Sequence, residues 1–156
     1  MKFIVLVVII ALAVFYFVRN SSNKKQAVEN ITIGKEFLAK NIANKEVVET
    51  ASGLQYQVLE KGDGNDHPSA SSKVKVHYHG LLLDGTVFDS SVERGQPISF
   101  GLNQVIKGWT EGVQLMVVGD KFKFFIPSGL AYGDRATGEI TPGSLLIFEI
   151  ELLAIQ

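Results

Sequence analysis

Lys73-Val74-Lys75-Val76-His77-Tyr78-His79-Gly80-Leu81-Leu82-Leu83-Asp84-Gly85-Thr86-Val87-Phe88-Asp89-Ser90-Ser91 is the stretch that decides the fold class. Val74, Val76 and Tyr78 alternate with Lys73, Lys75, His77 and His79. That is the period of two expected of a half-buried antiparallel strand, so Tyr78 points inward. Leu81 to Leu83, Asp84-Gly85 and Thr86 to Phe88 then read as a hairpin, because Asp-Gly suits the positive φ angles of a tight two-residue turn. The hairpin returns Phe88 beside the strand that carries Tyr78.

The same period recurs on both sides of this stretch. Leu54, Tyr56 and Val58 alternate with Gln55 and Gln57; Lys121 to Ile126 sets Phe122, Phe124 and Ile126 on one face; Leu145 to Ile155 carries Leu146, Phe148, Ile150 and Leu152 in register. Between them Ile106, Trp109, Val113 and Met116 recur at helical spacing across Gln104 to Met116, although Gly108 and Gly112 each weaken a helix by about 1 kcal/mol relative to Ala. Gly62 to Ser72, rich in Gly, Asp, Asn, Pro and Ser, is a solvated surface loop. Residues 52–156 therefore form an α+β domain, one short helix against one antiparallel sheet.

Ahead of this domain, Phe3 to Val18 is an unbroken apolar run flanked by Lys2 and by Arg19, Lys24 and Lys25. As a helix it spans roughly 24 Å against a hydrocarbon core of ~30 Å, so flanking side chains must snorkel or the bilayer thin. Ala11-Leu12-Ala13 satisfies the small-x-small rule for signal cleavage, but a cut there leaves Val14 to Val18 as a new apolar terminus. Residues 1–19 are accordingly expected to be an uncleaved membrane anchor, held through residues 3–18. In residues 20–51, Asn20 to Gln26 reads as a polar linker and Ile33 to Lys45 as a helix. Its apolar stripe serves either as a spacer docked on the domain or as a homodimer contact pairing Phe37, Leu38 and Ile42 across a two-fold axis, and both readings stay open.

With 15 Lys+Arg against 16 Asp+Glu, the 156-residue chain has no electrostatic footprint for nucleic acid. The absence of cysteine excludes disulfides, thiolate catalysis and cysteine zinc sites. Nucleophile elbow, Walker loop and zincin histidine pair are missing too. His77 and His79 share a strand face, but two ligands are too few for a closed metal site, and no metal or other cofactor is expected. What remains is an excess of aromatic residues. Tyr78, Phe88 and Phe148 each read alone as core, yet Phe88-Asp89-Ser90-Ser91 and Ala131-Tyr132-Gly133 set aromatic rings beside turn residues, where side chains reach a cleft.

Five blocks, Val76-His77-Tyr78, Asp84-Gly85-Thr86-Val87-Phe88-Asp89-Ser90-Ser91, Val105-Ile106-Lys107-Gly108-Trp109, Leu130-Ala131-Tyr132-Gly133 and Leu146-Ile147-Phe148-Glu149-Ile150-Glu151-Leu152-Leu153, stand in the order found in one family. From about Gly53 to Ile155 the chain resembles the FKBP-type peptidyl-prolyl cis/trans isomerases. Gly34-Lys35-Glu36-Phe37-Leu38 followed by Ser52-Gly53-Leu54-Gln55-Tyr56 is similar to the bacterial branch that includes the macrophage infectivity potentiators. The resemblance implies a strongly bent antiparallel sheet wrapped around the short helix. For that branch it also implies an N-terminal part that often dimerises and members that are often exported. A count of positive charges across residues 3–18 leans towards the cytoplasmic face of the membrane, the exported relatives towards the periplasm; the periplasmic side is the expectation taken.

By position, the resemblance assigns Tyr78, Phe88, Asp89, Ile106, Trp109, Tyr132 and Phe148 as catalytic, with Trp109 the floor of a proline pocket. Val105, Ile98, Ile140 and Arg94 are assigned to substrate binding. Arg94 would buttress the wall through an ion pair with Asp89, Ile98 stands where an aromatic ring often lines the rim, and the short loop Asp134 to Thr141 lacks His and aromatic residues. The implied partners are proline-containing unfolded or partly folded polypeptides and FK506-like macrolides. The implied reaction needs no nucleophile: rotation about X-Pro faces a barrier of about 18 to 20 kcal/mol because the planar amide is resonance-stabilised. The twisted amide is less polar and prefers an apolar pocket. The alternative is a membrane-tethered chaperone or scaffold that holds proline segments with little turnover.

Overall fold

The computed structural model describes residues 2–156; Met1 and the side chains of Lys2 and Phe3, including the Lys2 flank of the expected anchor, lie outside the described residues. The chain runs α1 (Lys2–Asn41), β1 (Val47–Glu49), β2 (Gln55–Glu60), β3 (Lys73–Leu82), β4 (Val87–Ser90), α2 (Ser91–Arg94), β5 (Ile98–Gly101), α3 (Lys107–Val113), β6 (Lys121–Ile126) and β7 (Leu146–Ile155). All strand pairings are antiparallel, in the order β1-β2-β6-β7-β3-β4. β7 pairs with β3 from Val74 to Leu82, so β5 and β4 take the opposite edge of β3 in succession. Register shifts at Lys75/Val76 and Gly80/Leu81 mark bulges, which bend the sheet.

Alternation in the sequence becomes the two faces of this sheet. Val74, Val76 and Tyr78 of β3, Phe122, Phe124 and Ile126 of β6, and Leu146, Phe148, Ile150 and Leu152 of β7 are buried on the concave face, in one cluster with Trp109 and Val113 of α3. The helical spacing over Gln104 to Met116 is only partly used: Leu102–Gln104 is a 3-10 turn, and α3 is confined to Lys107–Val113. Gly108 and Gly112 are close-approach positions, since a Cβ would fall 2.5 Å from Ile126 Cγ2 or 2.6 Å from the Phe124 ring. The hairpin also differs from expectation. Leu82 N donates to Thr86 O and Gly85 N to Leu82 O, so the loop has three residues. Only Gly85 takes a positive φ, 88°, while the Asp84 carboxylate accepts from Thr86 N at 2.9 Å.

The N-terminal third departs further from the sequence reading. The expected linker Asn20 to Gln26 is helical, within one continuous α1 that ends at Asn41 and not at Lys45. Residues 20–26 include no Pro or Gly, and extending a helix already formed on both sides costs far less than nucleating one. The sheet begins at Val47, before the expected boundary at residue 52. Gln55, whose alternation predicts an outward polar side chain, is fully buried because α1 covers that face. Its Nε2 donates to Leu38 O at 3.0 Å and to Glu49 at 2.8 Å, and its Oε1 accepts from Asn41 Nδ2 at 2.9 Å. Phe37 is half-buried and packs on Phe125 with ring centroids 5.7 Å apart, so part of that side chain is docked on its own domain. Ile42 is exposed, and so are the apolar side chains from Ile4 to Val18.

Helix propensity alone would make Gly112→Ala stabilising by about 1 kcal/mol. Phe124 is 1% exposed and cannot yield, so overpacking, worth about 1 to 3 kcal/mol, outweighs the gain. Urea unfolding should show Gly112→Ala less stable than the parent. Gly129→Ala, where nothing lies within 4 Å of the new Cβ, should be close to neutral.

Candidate active site

A cavity of about 610 Å³ opens at the concave face of the sheet, lined by aromatic rings at its base and by a loop on one side. Trp109 reaches it from the first turn of α3 and is 5% exposed. Tyr78, Phe100 and Phe148 meet the indole edge-to-face at centroid distances of 5.3, 5.5 and 5.2 Å, and Phe88 meets Phe148 in the same way at 5.3 Å. The indole N–H is buried without a hydrogen-bond partner among the described residues. Packing, therefore, holds the floor in place. Gly80 makes room for the walls: a Cβ there would lie 2.7 Å from the Phe88 ring and 2.9 Å from that of Phe148.

One wall is polar. Tyr78 Oη donates to Asp89 Oδ2 at 2.5 Å, Arg94 Nη2 donates to Tyr78 Oη at 2.9 Å, and Arg94 Nη1 pairs with Asp89 Oδ1. Arg94 is presented by α2, whose start is capped by Ser90 Oγ accepting from Glu93 N at 3.1 Å and whose end is closed by Gly95 in the left-handed region. The next turn over, Ser90 Oγ and Ser91 Oγ engage His79 Nδ1 and His77 Nδ1 at 2.8 and 2.9 Å. Burial by itself would raise the Asp89 carboxyl, but hydrogen bonds from Tyr78 and Arg94 and the Arg94 charge outweigh it and hold the group below its ordinary value. Burial, with the Asp89 hydrogen bond, pushes the Tyr78 phenol up. Both Asp89 oxygens thus have a hydrogen-bonding partner that favours the ionised form.

Of the residues singled out from sequence, Tyr78, Phe88, Asp89, Val105, Ile106, Trp109, Tyr132, Ile140 and Phe148 converge on this one cavity. Arg94 stands behind the wall. Ile98 does not line the cavity and is 37% exposed on β5; the aromatic ring of that strand is Phe100, two residues on, which faces the floor. Sequence reasoning missed Phe100 and Gly80. The Ile98-Ser99-Phe100 alternation was the available signal for the first, and a glycine on the inward register of β3 for the second.

A family model described as "FKBP-type peptidyl-prolyl cis-trans isomerase" matches residues 64–153, and one for the "domain amino terminal to FKBP-type peptidyl-prolyl isomerase" matches residues 11–58. The chain belongs to the FKBP-type peptidyl-prolyl cis-trans isomerase family. It is 59% identical over 132 residues to an FKBP-type peptidyl-prolyl cis-trans isomerase FkpA of Aeromonas hydrophila, covering 85% of this chain and 49% of that one. It is also 47% identical over 125 residues to a macrophage infectivity potentiator of Trypanosoma cruzi, covering 80% and 64%. Among solved structures, the crystal structure of FkpA from Escherichia coli superposes with a TM-score of 0.85 at 42% identity, over 94% of this chain and 70% of that one. The chain spans about half to two thirds of the length of the curated relatives it matches.

A carboxylate whose folded pKa is depressed stabilises the fold above its ordinary value of about 3.9, and that contribution is lost as pH falls through the folded value. The stability difference between the parent and Asp89→Asn, from urea unfolding, should stay constant between about pH 5 and 8 and shrink below about pH 4. Arg94→Leu should move that acid limb upward.

Proposed function

We propose that this chain is a membrane-tethered peptidyl-prolyl cis/trans isomerase acting on proline-containing segments of unfolded or partly folded polypeptides. The observation that carries this reading is a cavity with an indole floor, three further rings against it and a carboxylate already hydrogen-bonded and ion-paired. Such a site has little to offer a covalent reaction. It suits an amide that must become less polar: the pyrrolidine ring sits on Trp109 between Phe88 and Phe148, and water is excluded from the rotating bond. The Ile106 N–H, at the N-cap position of α3, holds a substrate carbonyl, and the Tyr132 phenol, 38% exposed at the rim, donates to another. Asp89 contributes a fixed field and takes no proton. FK506-like macrolides would compete for the same floor.

The exposed apolar side chains of Ile4 to Val18 insert in the bilayer, with the domain on the periplasmic side. Eight helical residues lie between Val18 and Ala27, the first buried residue of α1 among the described residues, so only about 13 Å of helix lies between membrane segment and domain. Clients are then selected by proximity to the membrane more than by sequence.

In a proline-limited peptide assay the parent chain should accelerate isomerisation, and Trp109→Leu, Phe88→Ala and Asp89→Ala should each lower kcat/KM roughly ten-fold, ~1.4 kcal/mol of transition-state stabilisation. Equal, near-background rates for parent and variants would leave the proline-holding chaperone in its place. A reporter fused after Gln156 that works only outside the cytosol should be active. Val7→Asp with Ile10→Asp, each costing about 2.5 to 3.5 kcal/mol at a helix centre, should release the protein from membranes.

A further inference from the structure

The cavity wall opposite Asp89 is a loop with little support of its own. Tyr132, Thr137, Gly138, Glu139 and Ile140 supply five of the fourteen lining residues, yet every residue from Asp134 to Glu139 is exposed. Two ties keep the loop closed. Thr137 and Ile140 exchange backbone hydrogen bonds, both 2.9 Å, near its tip, and Gly143 N donates to Gly133 O at 2.8 Å across its base. Beyond that base lies α1. Asn30 Nδ2 donates to Thr141 Oγ1 at 3.1 Å and to Pro142 O at 2.8 Å, and Thr141 Oγ1 also lies 2.8 Å from Ser144 Oγ. Ala27, 2% exposed, presses on the same point: a Cβ on Gly143 would fall 2.3 Å from Ala27 O and 2.7 Å from Ala27 Cα. Gly143 has φ 74°, so backbone conformation and packing both require glycine there.

We propose that Ala27 and Asn30 of α1 are positioning residues for the proline site, holding the base of the loop from Tyr132 to Gly143 and so setting where Tyr132 and Ile140 stand. Neither lines the cavity. The Gly143 to Gly133 hydrogen bond carries their effect to Tyr132, the residue just before Gly133, and the short path from Pro142 to Ile140 carries it to the buried side of the wall. Because α1 is one helix from Lys2 to Asn41, the segment read as the membrane anchor and the clamp on this loop belong to a single rigid rod. The inference rests on the isomerase reading of the cavity and adds to it that the N-terminal helix is part of how substrate is held.

The test uses the full chain in detergent micelles, with a proline-containing tetrapeptide as probe and two readouts: isomerisation rate, and peptide binding followed by fluorescence of Trp109, the chain's single tryptophan. Asn30→Ala should raise KM and the peptide Kd roughly five-fold while kcat changes less than about two-fold, because a displaced wall weakens positioning without removing the floor. Thr141→Ser keeps the acceptor and should match the parent, whereas Thr141→Val should reproduce part of the loss. In a Tyr132→Phe background the Asn30→Ala effect should shrink, which a purely structural defect would not cause. Parent-like KM and Kd for Asn30→Ala, or an effect fully additive with Tyr132→Phe, would overturn the inference. An inactive parent would instead overturn the isomerase reading, and the peptide Kd would still decide whether α1 shapes the cavity. Ala27→Leu should act more strongly in the same direction; if it fails to fold, Asn30→Ala carries the test.

Discussion

Helix α3 can carry Trp109 into the concave face of the sheet only because its backbone comes within contact distance of β6. Gly108 lies against Ile126 and Gly112 against Phe124, each too close for even a methyl group. The helix gives up intrinsic propensity at both positions and gains a short interaxial distance. That distance brings the indole edge-on among Tyr78, Phe100 and Phe148, where packing alone holds it. Gly80 plays the matching part on β3, leaving room for Phe88 and Phe148 to meet. The cavity is therefore the space that three glycines leave between a helix and a bent sheet.

The polar wall works by being complete. A carboxylate near apolar rings would ordinarily rise in pKa or recruit water. At Asp89 hydrogen bonds from Tyr78 and Arg94 and the Arg94 charge outweigh that rise, and Arg94 in turn is placed by a one-turn helix capped by Ser90 and Gly95. The result is an ion-paired carboxylate held ionised at neutral pH beside an apolar floor.

The two halves of helix α1 have different surroundings. Its first half presents apolar side chains outward, with no domain to cover them; its second half buries Ala27 and Gly34 against the 143–145 segment and packs Phe37 on Phe125. Gln55 shows how tightly the halves of the molecule are joined: a side chain whose strand alternation says solvent is instead sealed between sheet and helix, with Leu38 O, Asn41 and Glu49 as its partners. No period-two reading could anticipate that, because the covering element lies outside the strand.

The inward faces of β3, β6 and β7, the single helix around Trp109 and most of the cavity lining were legible in the chain itself, since period two, helical spacing and turn chemistry are local properties that each segment displays alone. The polar wall was half legible: Asp89 and Arg94 stand five residues apart, but that Tyr78 donates to Asp89 and accepts from Arg94 follows only from β3 and β4 lying side by side. Ile98 and Phe100 share a strand face, and only the pairing of β5 with β3, Phe100 against Val74, decides that Phe100 is the one that meets Trp109 and lines the cavity. Continuity of α1 through Asn20 to Gln26 is a local matter, since the segment has no Pro or Gly to interrupt a helix formed on both sides; burial of Gln55 and the hold of Ala27 and Asn30 on the loop before Gly143 were decided by tertiary structure. In each case the deciding contact joins residues far apart in sequence, and the energy of that contact overrides a weak local preference.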